Sequence, residues 1–139
     1  MKHLEKQAHQ QIALWAAACA EHVIAQFEQA QPEDCRPRKA IQAARLWVSG
    51  TLPMATARQF AFAAHAAARE ATQPEAIAAA RAAGHAAATA HVASHARYAA
   101  SYACKACLNP LQERAWQLEQ VPAELLLLFK TENIVTSGL

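Results

Sequence analysis

Thirty-eight of the 139 residues are alanine, and this excess restricts the fold more than any single motif does. Alanine is the best helix former and a poor strand residue. The apolar/polar alternation of a half-buried strand hardly appears, and only three glycines and six prolines punctuate the chain. We therefore expect an all-α protein, a single-domain bundle of about five to six helices. Because most of its apolar side chains end at Cβ, the helices should approach one another closely. The length suits one domain with its own core, expected over residues 1–130, with TENIVTSGL at 131–139 as a loose C-terminal tail.

Charge and patterning then narrow the function classes. Thirteen Lys and Arg against eleven Asp and Glu leave a net charge of +2, and the basic residues are scattered, which argues against nucleic acid as a partner. The amino end, MKHLEKQAHQQ, is charged and carries no apolar segment of signal-peptide type. No window reaches the roughly 18 uncharged apolar residues of a membrane span. Residues 82–96 come closest, yet contain three histidines, and LLLLF at 125–129 is too short. Four cysteines without an export signal read as free thiols rather than a disulfide frame. The expectation is a soluble, cytoplasmic domain that meets neither membrane nor nucleic acid.

Helical periodicity and breakers divide the chain. A first helix is expected from about Leu4 to Gln29, with Ile12, Trp15, Cys19, His22 or Val23, and Ala25 or Gln26 on its inner face beside Phe27. Pro32 and Pro37 end it, and a second helix runs from Arg38 to about Ser49, carrying Ile41, Ala44, Trp47 and Val48, before Gly50 closes it. Pro53 starts a third segment with Phe60, Phe62 and His65, fading by residues 71–74. From Glu75 the pattern is helical to about Leu108, with a break expected near Gly84, since about thirty residues would be unusually long for one helix. A fifth helix spans about Leu111 to Gln120, and a final amphipathic segment Ala123 to Lys130. The hexapeptides beginning at Ala40 and Ala76 match 36 residues apart, each opening a helix after a proline-containing loop. The match fits either two similar helical hairpins or a chance recurrence, which alanine-rich sequence readily produces.

The stretch AHVASHARYAASYACKAC, residues 90–107, looks most like a site. His91 and His95 stand at i and i+4, so on one helix both imidazoles reach one metal. The residues between them, Val92, Ala93 and Ser94, lack the glutamate that a zinc-peptidase motif supplies as general base. Cys104 lies nine residues beyond His95, roughly 13 Å along a helix at 1.5 Å per residue, whereas zinc ligands sit about 2 Å from the metal. A metal centre would thus need His65, Cys19 or His22 from another helix; without one, the histidines are packed and hydrogen-bonded. Cys104 and Cys107 have redox spacing but lie near a helix carboxyl end, where the dipole disfavours a thiolate. No glycine elbow or phosphate-cradling loop is present. These patterns predict no enzyme and no cofactor.

The loop EDCRPRK at 33–39 is more distinctive. Asp34 is placed either to accept hydrogen bonds from the free N–H groups of the next helix or to pair with an arginine, while Arg36 and Arg38 suit carboxylates of a partner. Trp15-Ala16 with Cys19-Ala20-Glu21-His22-Val23, followed by Asp34-Cys35-Arg36-Pro37-Arg38-Lys39-Ala40-Ile41, resembles the putative immunity protein family, a helical group linked to bacterial polymorphic toxin systems. Phe62 to Arg69, Ala80 to His85 with Ala88 to Val92, and Glu113 to Gln117 with Val121-Pro122 are similar to its middle and closing blocks. Ala18 and Cys35 stand where the family often carries acidic residues.

The resemblance implies a non-enzymatic, immunity-like protein that binds a partner protein, a cognate toxin. Asp34, Arg36, Arg38, Trp47 and Trp116 are the candidate anchors, although each of the two tryptophans reads first as core. The alternatives are a metal-binding helical protein using His91 and His95 with His65, and a scaffold whose alanine-rich faces form a homo-oligomer.

Overall fold

The computed structural model describes residues 5–127. It comprises α1 (Lys6–Val23), α2 (Ala25–Ala30), α3 (Arg36–Val48), α4 (Met54–Glu70), α5 (Pro74–Ala88), α6 (His95–Lys105) and α7 (Pro110–Glu119), followed by a 3₁₀ turn at Ala123–Leu125. No strand occurs among the described residues. The protein is an all-α single domain, as the alanine content predicts. Leu4, Leu128 to Lys130 of the last expected segment, and the expected tail at 131–139 lie outside the described residues.

α5 is the axis of the bundle. It packs against α1, α2, α3, α4 and α6, and nine of its fifteen residues are buried, all of them alanine or glycine. A helix that is apolar on all sides has to be surrounded, and side chains of one carbon or none let five neighbours approach it. The surrounding helices bury one stripe each. In α4 this is Ala57, Ala61, Ala64, Ala67 and Ala68. In α1 and α2 it is Ile12, Trp15, Cys19, Val23 and Phe27, while His22, Ala25 and Gln26 face outward. Bulk enters the core mainly from α1, α2 and α3, where Ile12, Phe27 and Ile41 are fully enclosed.

Prolines start helices here rather than merely stopping them. α3 begins at Arg36, so Pro37 sits inside its first turn, against the expectation that it would remain outside. At that position the missing N–H has no intrahelical acceptor to lose. Pro74 and Pro110 open α5 and α7 in the same way, and Asn109 caps α7 by accepting the Gln112 N–H at 3.1 Å. Gly50, with φ of 80°, closes α3. The matching segments at Ala40 and Ala76 start in the amino-terminal halves of α3, packed on α4, and of α5, packed on α6.

The expected break at Gly84 is overturned. α5 runs through Gly84 to Ala88, and the chain turns between Thr89 and Ser94 through short-range bonds, among them Ala90 N–H to Ala87 O and His95 N–H to Val92 O. The glycine serves packing instead. A Cβ on Gly84 would lie 2.7 Å from Cε1 and Nε2 of His65.

Candidate functional site

The seam between α1–α2 and α3 is closed by a ladder of ion pairs. Arg45 donates to both carboxylate oxygens of Glu21 at 2.9 Å, and Arg38 donates to Glu28 at 2.6 and 2.8 Å. Glu21 and Glu28 are seven residues apart, as are Arg38 and Arg45, and the order reverses between the strips, so α3 runs antiparallel to α1–α2. Beyond its lower rung, Arg36 forks between Asp34 and Glu70, each at 2.7 Å. Asp34 plays both roles expected of it, since Oδ1 accepts the Arg36 backbone N–H at 3.1 Å and Nε at 3.0 Å. Hydrogen bonds from their arginines hold Asp34, Glu21 and Glu28 below the usual carboxylate range.

The two candidate tryptophans are half-buried and lie apart. Trp47 is at the far end of α3, roughly 16 Å from Arg36 along the axis, with His9 tilted against it at 4.8 Å. The His9 Nε2 donates to the Thr89 carbonyl at 2.6 Å. Trp116 on α7 stacks on His22 with ring centroids 3.5 Å apart and planes within 8°. The His22 Nδ1 donates to Glu113 at 2.8 Å, and Glu113 is only 7% exposed. Trp116 therefore adjoins the ladder through the Glu21–His22 step in α1, whereas Trp47 does not. Glu21, Glu28, Arg45 and the His22–Glu113 pair were missed as a group. Their sequence signal was the common seven-residue spacing on two helices.

The histidines also differ from expectation. His91 lies in the turn after α5 and His95 is the first residue of α6, so they are not an i, i+4 pair on one helix. The turn nevertheless brings His65, His91 and His95 around one cavity of about 310 Å³, with Arg58 and Phe62. His85, which the sequence places only in a family block, supports it from behind. Its Nδ1 lies 3.0 Å from Nδ1 of His95, its ring stacks on Tyr102, and His65 meets it edge-on at 4.8 Å. Arg81 donates to the His65 Nδ1 at 2.9 Å, which places the proton of a neutral His65 on Nε2. Burial, then neighbouring cations, pushes His65 down to about 4; burial and then its neighbouring histidines push His85 down to about 3. His95 is lowered for the same first reason, with His91 and Arg58 adding to it. Among the described residues no group of three or more His, Cys, Asp or Glu side chains is disposed to hold a metal ion.

Cys19 and Cys104 are buried, Cys107 is half-buried, and all four cysteines are free thiols. Cys104 lies in the last turn of α6 and Cys107 just beyond it. Burial raises both thiols, Cys107 to about 11, opposite to what a redox pair needs.

Interlocked small-residue helices, ion-paired seams and outward aromatic edges define a helical-bundle domain whose polar groups mainly hold its own helices together. No described helix is long and apolar enough to cross a membrane. The chain belongs to the Imm-5 like putative immunity protein family, whose model matches residues 2–124. No curated protein and no solved structure gives a match to it.

Proposed function

We propose that the chain is a non-enzymatic, cytoplasmic immunity protein that neutralises a toxin by binding it. Membership of the family across nearly all of the described bundle carries this reading. The surface we assign to the partner is the α1–α3 side, where Trp116 stacks on His22, next to Glu21 of the Glu21–Arg45 rung, and the Arg38–Glu28 rung and the Asp34–Arg36 pair follow. Tryptophan and arginine are among the residue types that most often carry the binding energy of an interface. The arginines already have carboxylate partners of their own, so a toxin would have to exchange for them. This favours Trp116 as the main source of affinity, with Arg36 and Arg38 setting specificity.

The test is co-expression with the toxin-like product encoded beside the gene. Protection of growth and a purified complex are expected. Trp116→Ala should weaken the complex at least about tenfold, and the Arg36→Ala, Arg38→Ala double variant should weaken it less. Absence of both protection and complex would sink the reading.

A further inference from the structure

The cavity between α4 and the α5–α6 turn is the one place described above where basic groups gather without acidic ones. Arg58, Phe62 and His65 follow at i, i+4 and i+7 along α4, while His91, Val92 and His95 approach from the turn and the start of α6. Arg36, Arg38 and Arg45 each grip a carboxylate. Among the described residues, by contrast, no ion pair joins a carboxylate to Arg58, Arg81, His65, His85, His91 or His95. The Arg58 guanidinium instead lies 5.6 Å from the centroid of the Phe62 ring, and Arg81 is spent on the His65 Nδ1. The cations acting on His65, His85 and His95 are Arg58, Arg69 and Arg81, and among the described residues no carboxylate lines the cavity.

We propose that this cavity binds a small organic carboxylate. Arg58 is the fork for the carboxylate, and His91 and His95 are additional donors at its rim. The body of the ligand rests on Phe62, which is 60% exposed, and on Val92, which is 38% exposed. At about 310 Å³ the cavity is at the small end of the range for ligand sites, about 300–1,000 Å³, so a one-ring or short-chain acid is the fitting size. His85 holds His95 in place through the Nδ1–Nδ1 bond, and Arg81 fixes His65 on the cavity wall. This assignment does not depend on toxin binding.

The experiment uses the whole chain, purified without a histidine tag, with its imidazole and aromatic resonances followed by NMR. Benzoate, acetate and inorganic phosphate are titrated in turn, with chloride at equal ionic strength as the reference. Benzoate should shift His91, His95 and Phe62 saturably, with a Kd on the order of 1 mM, and leave His9 and His22 in place. Acetate should bind more weakly because it leaves the apolar rim uncovered. Arg58→Ala should weaken benzoate at least about tenfold, and Arg58→Lys should recover part of that. Arg58 is exposed, and an unchanged circular dichroism melt would verify that the variants fold. Shifts that do not saturate, match those in chloride, or persist unchanged in Arg58→Ala overturn the proposal. Phosphate binding more tightly than benzoate overturns the carboxylate assignment.

Discussion

The imidazole of His65 lies across the backbone of Gly84, where a single added methyl would stand 2.7 Å from two of its ring atoms. The ring is not free to swing away, because Arg81 holds its Nδ1 and its edge meets His85. Forcing a methyl into such a contact costs about 1–3 kcal/mol, whereas alanine gains about 1 kcal/mol over glycine inside a helix. Gly84→Ala should therefore lower stability by about 1 kcal/mol. In a His65→Ala background the same change should instead stabilise. Urea unfolding of the four proteins in a double-mutant cycle checks this, and a stabilised single variant would mean that the ring moves aside freely.

Glu113 is a nearly buried carboxylate that accepts a hydrogen bond from a partly exposed imidazole, His22. Removing His22 takes away that partner and also bares the face of Trp116. His22→Ala should cost about 1–3 kcal/mol, with a shift in tryptophan emission. A loss below about 0.5 kcal/mol, the size of an ordinary surface change, would contradict the pairing.

The three depressed histidines give stability a distinct pH dependence. Each binds its proton less readily when folded than when unfolded, where the ordinary value is about 6.5. The unfolded chain therefore takes up protons first, and stability falls as pH drops from about 6.5 toward the folded values, about 4 for His65 and about 3 for His85. The loss should be on the order of 1 kcal/mol for each of His65 and His85 once solvent screening is allowed for, and His95 acts in the same direction. Glu21, Glu28 and Asp34, held low by their arginines, lose their contribution at lower pH, beginning near the ordinary carboxylate value. Unfolding curves at half-unit steps from pH 7 to pH 4 should show decline starting above pH 5. A flat profile down to pH 5 would refute the histidine share.

Thiol labelling at pH 7 should rank the cysteines by access. Cys35 is exposed, Cys107 is half-buried, and Cys19 and Cys104 are buried. Burial raises all three of the latter, so their thiolate fraction is small. Mass spectrometry should find Cys35 modified first and Cys19 and Cys104 only as the chain unfolds. Rapid labelling of Cys104 would contradict the packing of α6.

Helix identity was readable because it is a local property. Alanine content, the prolines at 37, 74 and 110, and Gly50 act within a turn or two of where they stand, so the segments lie close to their expected places. The misplaced ends show the limits of that reading. Pro37 reads as a barrier because a proline inside a helix and one in its first turn look alike in one dimension. Gly84 reads as a break because nothing local announces that His65, nineteen residues earlier, claims the space of its side chain. The family strings, including Asp34 to Ile41, were legible for the same local reason.

Which side chains meet was not legible. The sequence by itself determined a bundle of small-faced helices and the family to which it belongs. It also placed Cys104 and Cys107 at the wrong end of a helix for redox work. Only the tertiary structure decided that His22 joins Glu113 and Trp116, that the rungs Glu21–Arg45 and Glu28–Arg38 face each other, and that Arg58 shares a cavity with His65, His91 and His95. Facing surfaces made of alanine carry few large side chains whose sizes would dictate register. The crossing of each pair of helices is set instead by all the neighbours of α5 at once, and that is a property of the assembled bundle.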